Sequence, residues 1–189
     1  MSGFEIRADF SAFADMAKTF REAGNQAPHA IRRAVNYTGD RARTAMIRTL
    51  TGQTGLKRGT IVRALRVVRA SYGAIEYRIY SRGGNVSLKY FGAKETRGGV
   101  VSKRGSFASA FMRGGRFPKR VALKLGGHAY QRTGKSRLPI KRVKSGVFIP
   151  KEMISGATGA TFHASVAAFL PVRLAHEITA ILKGHAPRG

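Results

Sequence analysis

Ile31, Ala34, Val35, Thr38, Ala42, Ala45, Met46, Thr49 and Leu50 recur at three- and four-residue steps. That spacing lays them on one stripe and predicts a single long helix over Pro28 to Leu50, with Pro28 in the first turn, where its missing N–H costs nothing. Off the stripe lie Arg32, Arg33, Asn36, Asp40, Arg41, Thr44 and Arg48, a wet and mostly cationic face. Gly39 reads as a weak point in the helix interior, worth about 1 kcal/mol against Ala. A helix of this length needs a broad surface to lie on.

Before it, Phe4 to Ala8 alternates like a short strand. Asp9 or Ser11 can then cap a first helix carrying Phe10, Phe13, Ala17 and Phe20, stopped by Gly24 and Asn25. After it, Thr51 to Gly55 reads as a turn-rich link, and Leu56 to Leu65 as a short helix starting near Thr54. The period then changes to two: Val67 and Val68, then Ile75, Tyr77 and Ile79, flank a turn at Ser71 to Gly73. This predicts a hairpin with one face covered, most simply by the helix from Pro28.

Beyond Tyr80 glycines punctuate short apolar runs at Val86 to Phe91, Val100 to Ser102, Phe107 to Met112 and Val121 to Leu125. They read either as further strands or as a long flexible arm with no evident core of its own. Ser155 to Thr161 reads as a small-residue linker. Helical spacing returns from Phe162 to Lys183 through Val166, Phe169 or Leu170, Leu174, Ile178, Ile181 and Leu182. Pro171 either kinks this helix or starts its main part, and Gly184 ends it before a tail from His185 to Gly189. The fold class is therefore α+β: a long N-terminal helix on an antiparallel sheet, a glycine-rich basic extended arm, and a C-terminal helix. The organisation is one domain over residues 1–189, divided into 1–81, 82–150 and 151–189.

Charge changes this picture most. The 189 residues carry 35 Lys and Arg against 9 Asp and Glu, a formal charge of +26. Such an imbalance opposes compaction and favours a polyanionic partner, nucleic acid or an acidic protein surface. No acid stands between Glu95 and Glu152. Arg113, Arg116, Lys119, Arg120, Lys124, Arg132, Lys135, Arg137, Lys141, Arg142 and Lys144 are then either phosphate-facing or a solvated face kept soluble by charge. Tyr90, Phe91, Phe107, Phe111, Phe117 and Tyr130 lie among them, either to stack on bases or to fill a core. The absence of Cys excludes disulfides and thiolate chemistry and fits a reducing compartment. No secretory signal pattern opens the chain, and no apolar run reaches the roughly 18 residues of a membrane span.

Catalytic constellations are not evident. The carboxylates form no paired site, and His29, His128, His163, His176 and His185 lack the spacing of a helical zinc site. His176 beside Glu177 reads as a helix-surface pair. Gly134, Lys135 and Ser136 end like a phosphate loop, but Ala129 stands where its first Gly belongs. No cofactor and no metal are expected, and the chain reads as a non-enzyme.

Arg33, Ala34, Val35 and Asn36, followed by Ala42 and Thr44 and a basic stretch to Ile61, resemble the long first helix of the minor tail protein Z family. These are tail completion proteins of long-tailed phages and prophages. Leu88, Phe91, Gly92, Ala93, Gly99, Val100, Phe107, Ala110, Phe111, Arg132, Arg137, Leu138, Pro139 and Ile140 follow in the family's order, over residues 28–150 in all. The chain departs from the pattern at Tyr130 and Gln131. The resemblance implies a structural virion protein at the head-proximal end of a long non-contractile tail, assembled in the host cytoplasm. It also implies a hexameric ring around the path of packaged double-stranded DNA, bound without sequence preference, beside other tail and head-tail connector proteins and no membrane. Ile31, Val35, Met46, Phe107, Phe111, Leu138, Pro139 and Ile140 would then serve packing or assembly. The alternative is a stand-alone, sequence-independent nucleic-acid-binding protein, ribosomal-like or nucleoid-like.

Overall fold

A computed structural model describes residues 4–7 and 24–184. The expected helix around Phe10 to Phe20 and the tail from His185 lie outside the described residues. The α+β expectation holds: a long helix, antiparallel sheets and a C-terminal helix.

Helix α1 spans Ala27–Thr54, with Pro28 in its first turn. The expected link at Thr51 to Gly55 is thus mostly helical. The Thr51 and Thr54 hydroxyls donate back to the Ile47 and Leu50 carbonyls at 2.7 Å, which lets these turn-prone residues continue the helix. Gly55 then takes the left-handed conformation, φ 72°, and its N–H closes on Thr51 O. Ala34, Val35, Ala42, Met46 and Leu50 are buried as the stripe predicts, while Ile31 is half-buried against them. Helix α2 follows at Arg58–Ala64, later than the Thr54 start expected for it.

The expected hairpin forms from β2 (Leu65–Val68) and β3 (Arg78–Ser81), with Val67 opposite Ile79. Ser71 and Ala74 close its turn through reciprocal backbone bonds. Strand β1 (Phe4–Arg7) adds to the other side of β3, giving the order β1-β3-β2. Tyr77, Ile79 and Ser81 are buried and alternate with half-buried Arg78 and Tyr80, so one face is covered. Its cover is α1: the Tyr77 hydroxyl donates to Asp40 at 2.8 Å, and the ring lies directly over Gly39. Gly39 is therefore not a weak point. A Cβ there would stand 2.3 Å from the Tyr77 ring, so only glycine admits the contact. Nor is the polar side of α1 simply wet, because the Asn36 amide pins Ala70 through both its N–H and its carbonyl.

The broadest partner of α1 is the C-terminal helix. Short helix α3 (Ile149–Ile154) leads into α4 (Gly156–Leu182). Gln53 meets Thr158, Thr49 meets Thr161 and Arg33 meets Glu177, so α1 and α4 run antiparallel. The linker expected at Ser155 to Thr161 is helix instead. Thr158 Oγ1 there donates to Gln53 of α1 at 2.7 Å, and Gly159 has no room for a Cβ beside Ile154 O, 2.8 Å away at the end of α3. Pro171 sits within α4 on its exposed side and does not start it. Nor does the expectation on membrane-length segments hold. By length and composition alone α4 could cross a bilayer, and its buried positions Leu170, Leu174 and Ile178 face the core.

Residues 82–150 fold back on themselves and form no extended arm. Where a strand was expected at Val86 to Phe91, a 3-10 turn spans Leu88–Phe91, because Ser87 Oγ accepts the Lys89 N–H and caps it. Strands β4 (Lys94–Thr96), β5 (Gly99–Ser102) and β6 (Gly105–Ala108) make an antiparallel meander. Ser109, at φ 57°, breaks the expected Phe107 to Met112 strand before β7 (Ala110–Phe111). Strand β8 (Arg113–Gly114) pairs with β9 (Val121–Ala122), all that forms of the expected Val121 to Leu125 strand. Strands β10 (Tyr130–Arg132) and β11 (Ile140–Arg142) complete a sheet of order β11-β10-β7. This segment has a small core of its own: Leu88, Val100, Ala110 and Ala129, with Ala93, Phe107, Met112 and Val143 against it.

Candidate polyanion-binding surface

The surface is defined by where the acids go. Asp40 takes Arg69 and the Tyr77 hydroxyl. Glu5 and Glu76 both meet Arg78, at 3.7 and 3.2 Å. Glu152 takes the Gln53 amide at 2.7 Å. Glu177, expected on the surface with His176, is 3% exposed between Arg33 at 3.0 Å and Arg173, because it lies on the α1-facing side of α4. His176 alone is exposed. Every described carboxylate therefore binds other elements or residues of this chain.

Glu95 is the acid that enters the basic segment. Its carboxylate pairs with Arg120 at 2.8 Å and accepts the Arg113 backbone N–H at 3.1 Å. Arg120 also donates to the Arg113 and Gly115 carbonyls. Arg120 is thus an internal brace across β8 and β9, a correction to its place among the outward cations. The other expected cations, Arg113, Arg116, Lys119, Lys124, Arg132, Lys135, Arg137, Lys141, Arg142 and Lys144, are exposed.

Pairing in the sheet sorts the neighbouring aromatics. Tyr130 stands opposite both Phe111 and Arg142, and Arg132 opposite Ile140, so these five share one face. The Phe111 and Tyr130 rings lie 6.5 Å apart. The Arg132 guanidinium lies 5.7 Å from the Phe111 centroid and that of Arg142 lies 6.0 Å from Tyr130. Ring quadrupoles hold such guanidinium groups flat while their N–H edges stay available. Of the other aromatics, Phe91 is buried, Phe107 packs on the small core, and Tyr90 and Phe117 are exposed. Among the expected packing residues, Leu138 at 67% and Pro139 are exposed at the tip between β10 and β11, outside both cores formed by the described residues.

Sequence reasoning missed a cleft of about 580 Å³ where α2 and α3 meet the basic sheets. Ser87 Oγ lies 2.7 Å from His128 Nδ1 on its wall. Burial, then the charges of Arg142 and Lys89, hold the His128 imidazole below its usual pKa, so it is neutral near pH 7. The two residues are 41 apart in sequence and share no motif; only the Gly126 and Gly127 turn marks the approach. Among the described residues, no group of His, Asp and Glu has the arrangement of a metal site. Comparison with protein-family models, curated proteins and solved structures gives no match to this chain.

Proposed function

We propose that this chain is a structural protein of a long-tailed phage or prophage, completing the head-proximal end of a non-contractile tail and helping join it to the head. In this reading six copies form a ring, without catalysis, and tail and connector proteins lie above and below. The observation that carries it is the internal use of every described carboxylate, which leaves the exposed cations of residues 97–151 without neutralising partners among the described residues. A ring on the DNA exit path exposes its lumen to packaged duplex, whose charge density favours such a wall through counterion release. The order of the motifs from Leu88 to Ile140 supports the specific assignment to tail completion. The outer edge of β11 and the exposed Leu138 tip suit contact with a neighbouring copy.

Light scattering of the purified protein at stepped salt, with and without a short DNA duplex, tests this. A defined ring with weak duplex binding is the expected outcome. Reversal of Arg137 and Lys141 to Glu should lower the slope of log K against log salt by about 0.9 for each phosphate no longer neutralised. A persistent monomer with tight, steeply salt-dependent duplex binding would replace this reading with a stand-alone nucleic-acid-binding protein.

A further inference from the structure

We propose that the cleft walled by Ser87 and His128 and ringed by Arg82, Arg142 and Lys144 binds the phosphate of a nucleotide, free or within a single strand. No carboxylate lines it, and none of its three cations enters an ion pair among the described residues. Arg82 and Arg142 are instead held against Tyr80 and Tyr130, at 5.7 and 6.0 Å from the ring centroids. Their donor edges are thus oriented without being used, the arrangement that suits a phosphate oxygen. When Ser87 donates to His128 Nδ1, the neutral ring carries its proton on Nε2 and becomes a further donor. The cleft, at about 580 Å³, exceeds a bare phosphate and lies in the range of small-molecule sites. Tyr90, 40% exposed on its lining, offers a face for a base.

The same geometry gives the site a pH dependence. His128 faces Ser87, Arg142 and Lys89, with Lys144, Arg82 and Tyr90 around the same cleft, and its neutral state reflects burial and then the charges of Arg142 and Lys89. A bound anion reverses the local sign and draws a proton onto the imidazole. Binding is therefore linked to proton uptake and strengthens as the pH falls from about 7.5 toward the ordinary imidazole value of about 6.5 and below.

The test is an NMR titration of the His128 ring in the full chain. The probes are inorganic phosphate, a nucleoside monophosphate, and a short oligothymidylate, whose diesters do not titrate in this range. Saturable shifts of His128 with the last two, weakened about tenfold or more in Arg142→Gln or Lys144→Gln, are expected from the removal of one charge-assisted hydrogen bond. Arg48→Gln, exposed on α1 and outside the cleft, should leave them unchanged. Followed by calorimetry with the oligothymidylate, His128→Gln should keep binding at pH 7.5 and lose its pH dependence. An unmoved His128, binding of inorganic phosphate alone, or an equal effect of Arg48→Gln would overturn the site. Duplex titrated alongside separates the two readings, because failure to bind duplex refutes the DNA-facing wall and leaves the cleft standing.

Discussion

Replacement of Gly39 by Ala is expected to destabilise the protein, although an isolated helix would gain about 1 kcal/mol from that change. A Cβ at this position stands 2.3 Å from Cγ and Cδ2 of Tyr77 and 2.5 Å from Cδ1. Carbon atoms rest about 3.5–4.0 Å apart, so the ring or the helix must retreat by more than about 1 Å. Neither is free to do so. The ring is 2% exposed, and its hydroxyl is tied to Asp40, one residue along the same helix. Overpacking of this kind costs about 1–3 kcal/mol, and the buried, tethered ring places Gly39 at the upper end. Against the propensity gain, Gly39→Ala should lose about 1–2 kcal/mol net, a fall in Tm of a few degrees for a chain of this size. The measurement is urea unfolding of the four proteins of a double-mutant cycle with Tyr77→Ala. Once the ring is gone, the same Gly39→Ala change should become stabilising by up to about 1 kcal/mol. A Gly39→Ala protein more stable than the parent, with no coupling to Tyr77, would refute the packing of the hairpin on α1.

Tyr77 itself carries a pH prediction. Burial first, then the Asp40 hydrogen bond and charge, raise its pKa well above the ordinary value of 10.0. The folded state therefore holds the phenolic proton more tightly than the unfolded state. Stability is fully present below about pH 10 and falls by up to about 1.4 kcal/mol per pH unit above it. Tyr77→Phe should flatten that alkaline limb in unfolding measured at about pH 9 to 11, and an unaltered limb would show the hydroxyl to be solvated. Glu177→Gln keeps the side-chain volume and leaves Arg33 and Arg173 without their shared charge. Because both arginines are partly exposed, the expected loss is about 2–3 kcal/mol in chemical denaturation, below that of a fully buried pair; no loss would place Glu177 in solvent.

What could be read from the chain and what could not divides along the range of the interaction. The α1 stripe and the alternation at Tyr77 and Ile79 are local periodicities, and both burial patterns follow them. Gly39 fails as a local reading because its meaning lies in a ring 38 residues away in sequence. The run from Ser155 to Thr161 fails for a related reason. Small residues weaken an isolated helix, yet Thr158 reaches α1, its Oγ1 donating to Gln53 at 2.7 Å, and Gly159 lets α4 start close against the Ile154 carbonyl that ends α3. Glu177 looks solvent-facing only until Arg33 arrives from α1. Of the basic surface, ten expected cations are outward, whereas Arg120 is claimed by Glu95 from another strand, which no spacing within residues 113–120 encodes.

The acids of this chain have a second consequence. Asp40 joins the hairpin to α1, Glu177 joins α4 to α1, Glu152 joins α3 to α1, and Glu95 joins the β8 and β9 pair to β4. Asp40, Glu95 and Glu177 each neutralise an arginine at a seam, and the last two are withdrawn from the surface, at 8% and 3% exposed. The outward field is therefore more one-sided than an even mixture of the same residues would give. Its self-repulsion is weakest near a polyanion or in salt, and strongest for an isolated chain in dilute buffer. Cohesion and binding thus draw on different residues. The carboxylates hold the elements together while the unmatched arginines and lysines set the partner. Removing one of the latter, such as Lys124 or Arg137, should alter affinity for polyanions with little effect on the fold, whereas removing Glu95 or Glu177 should do the reverse.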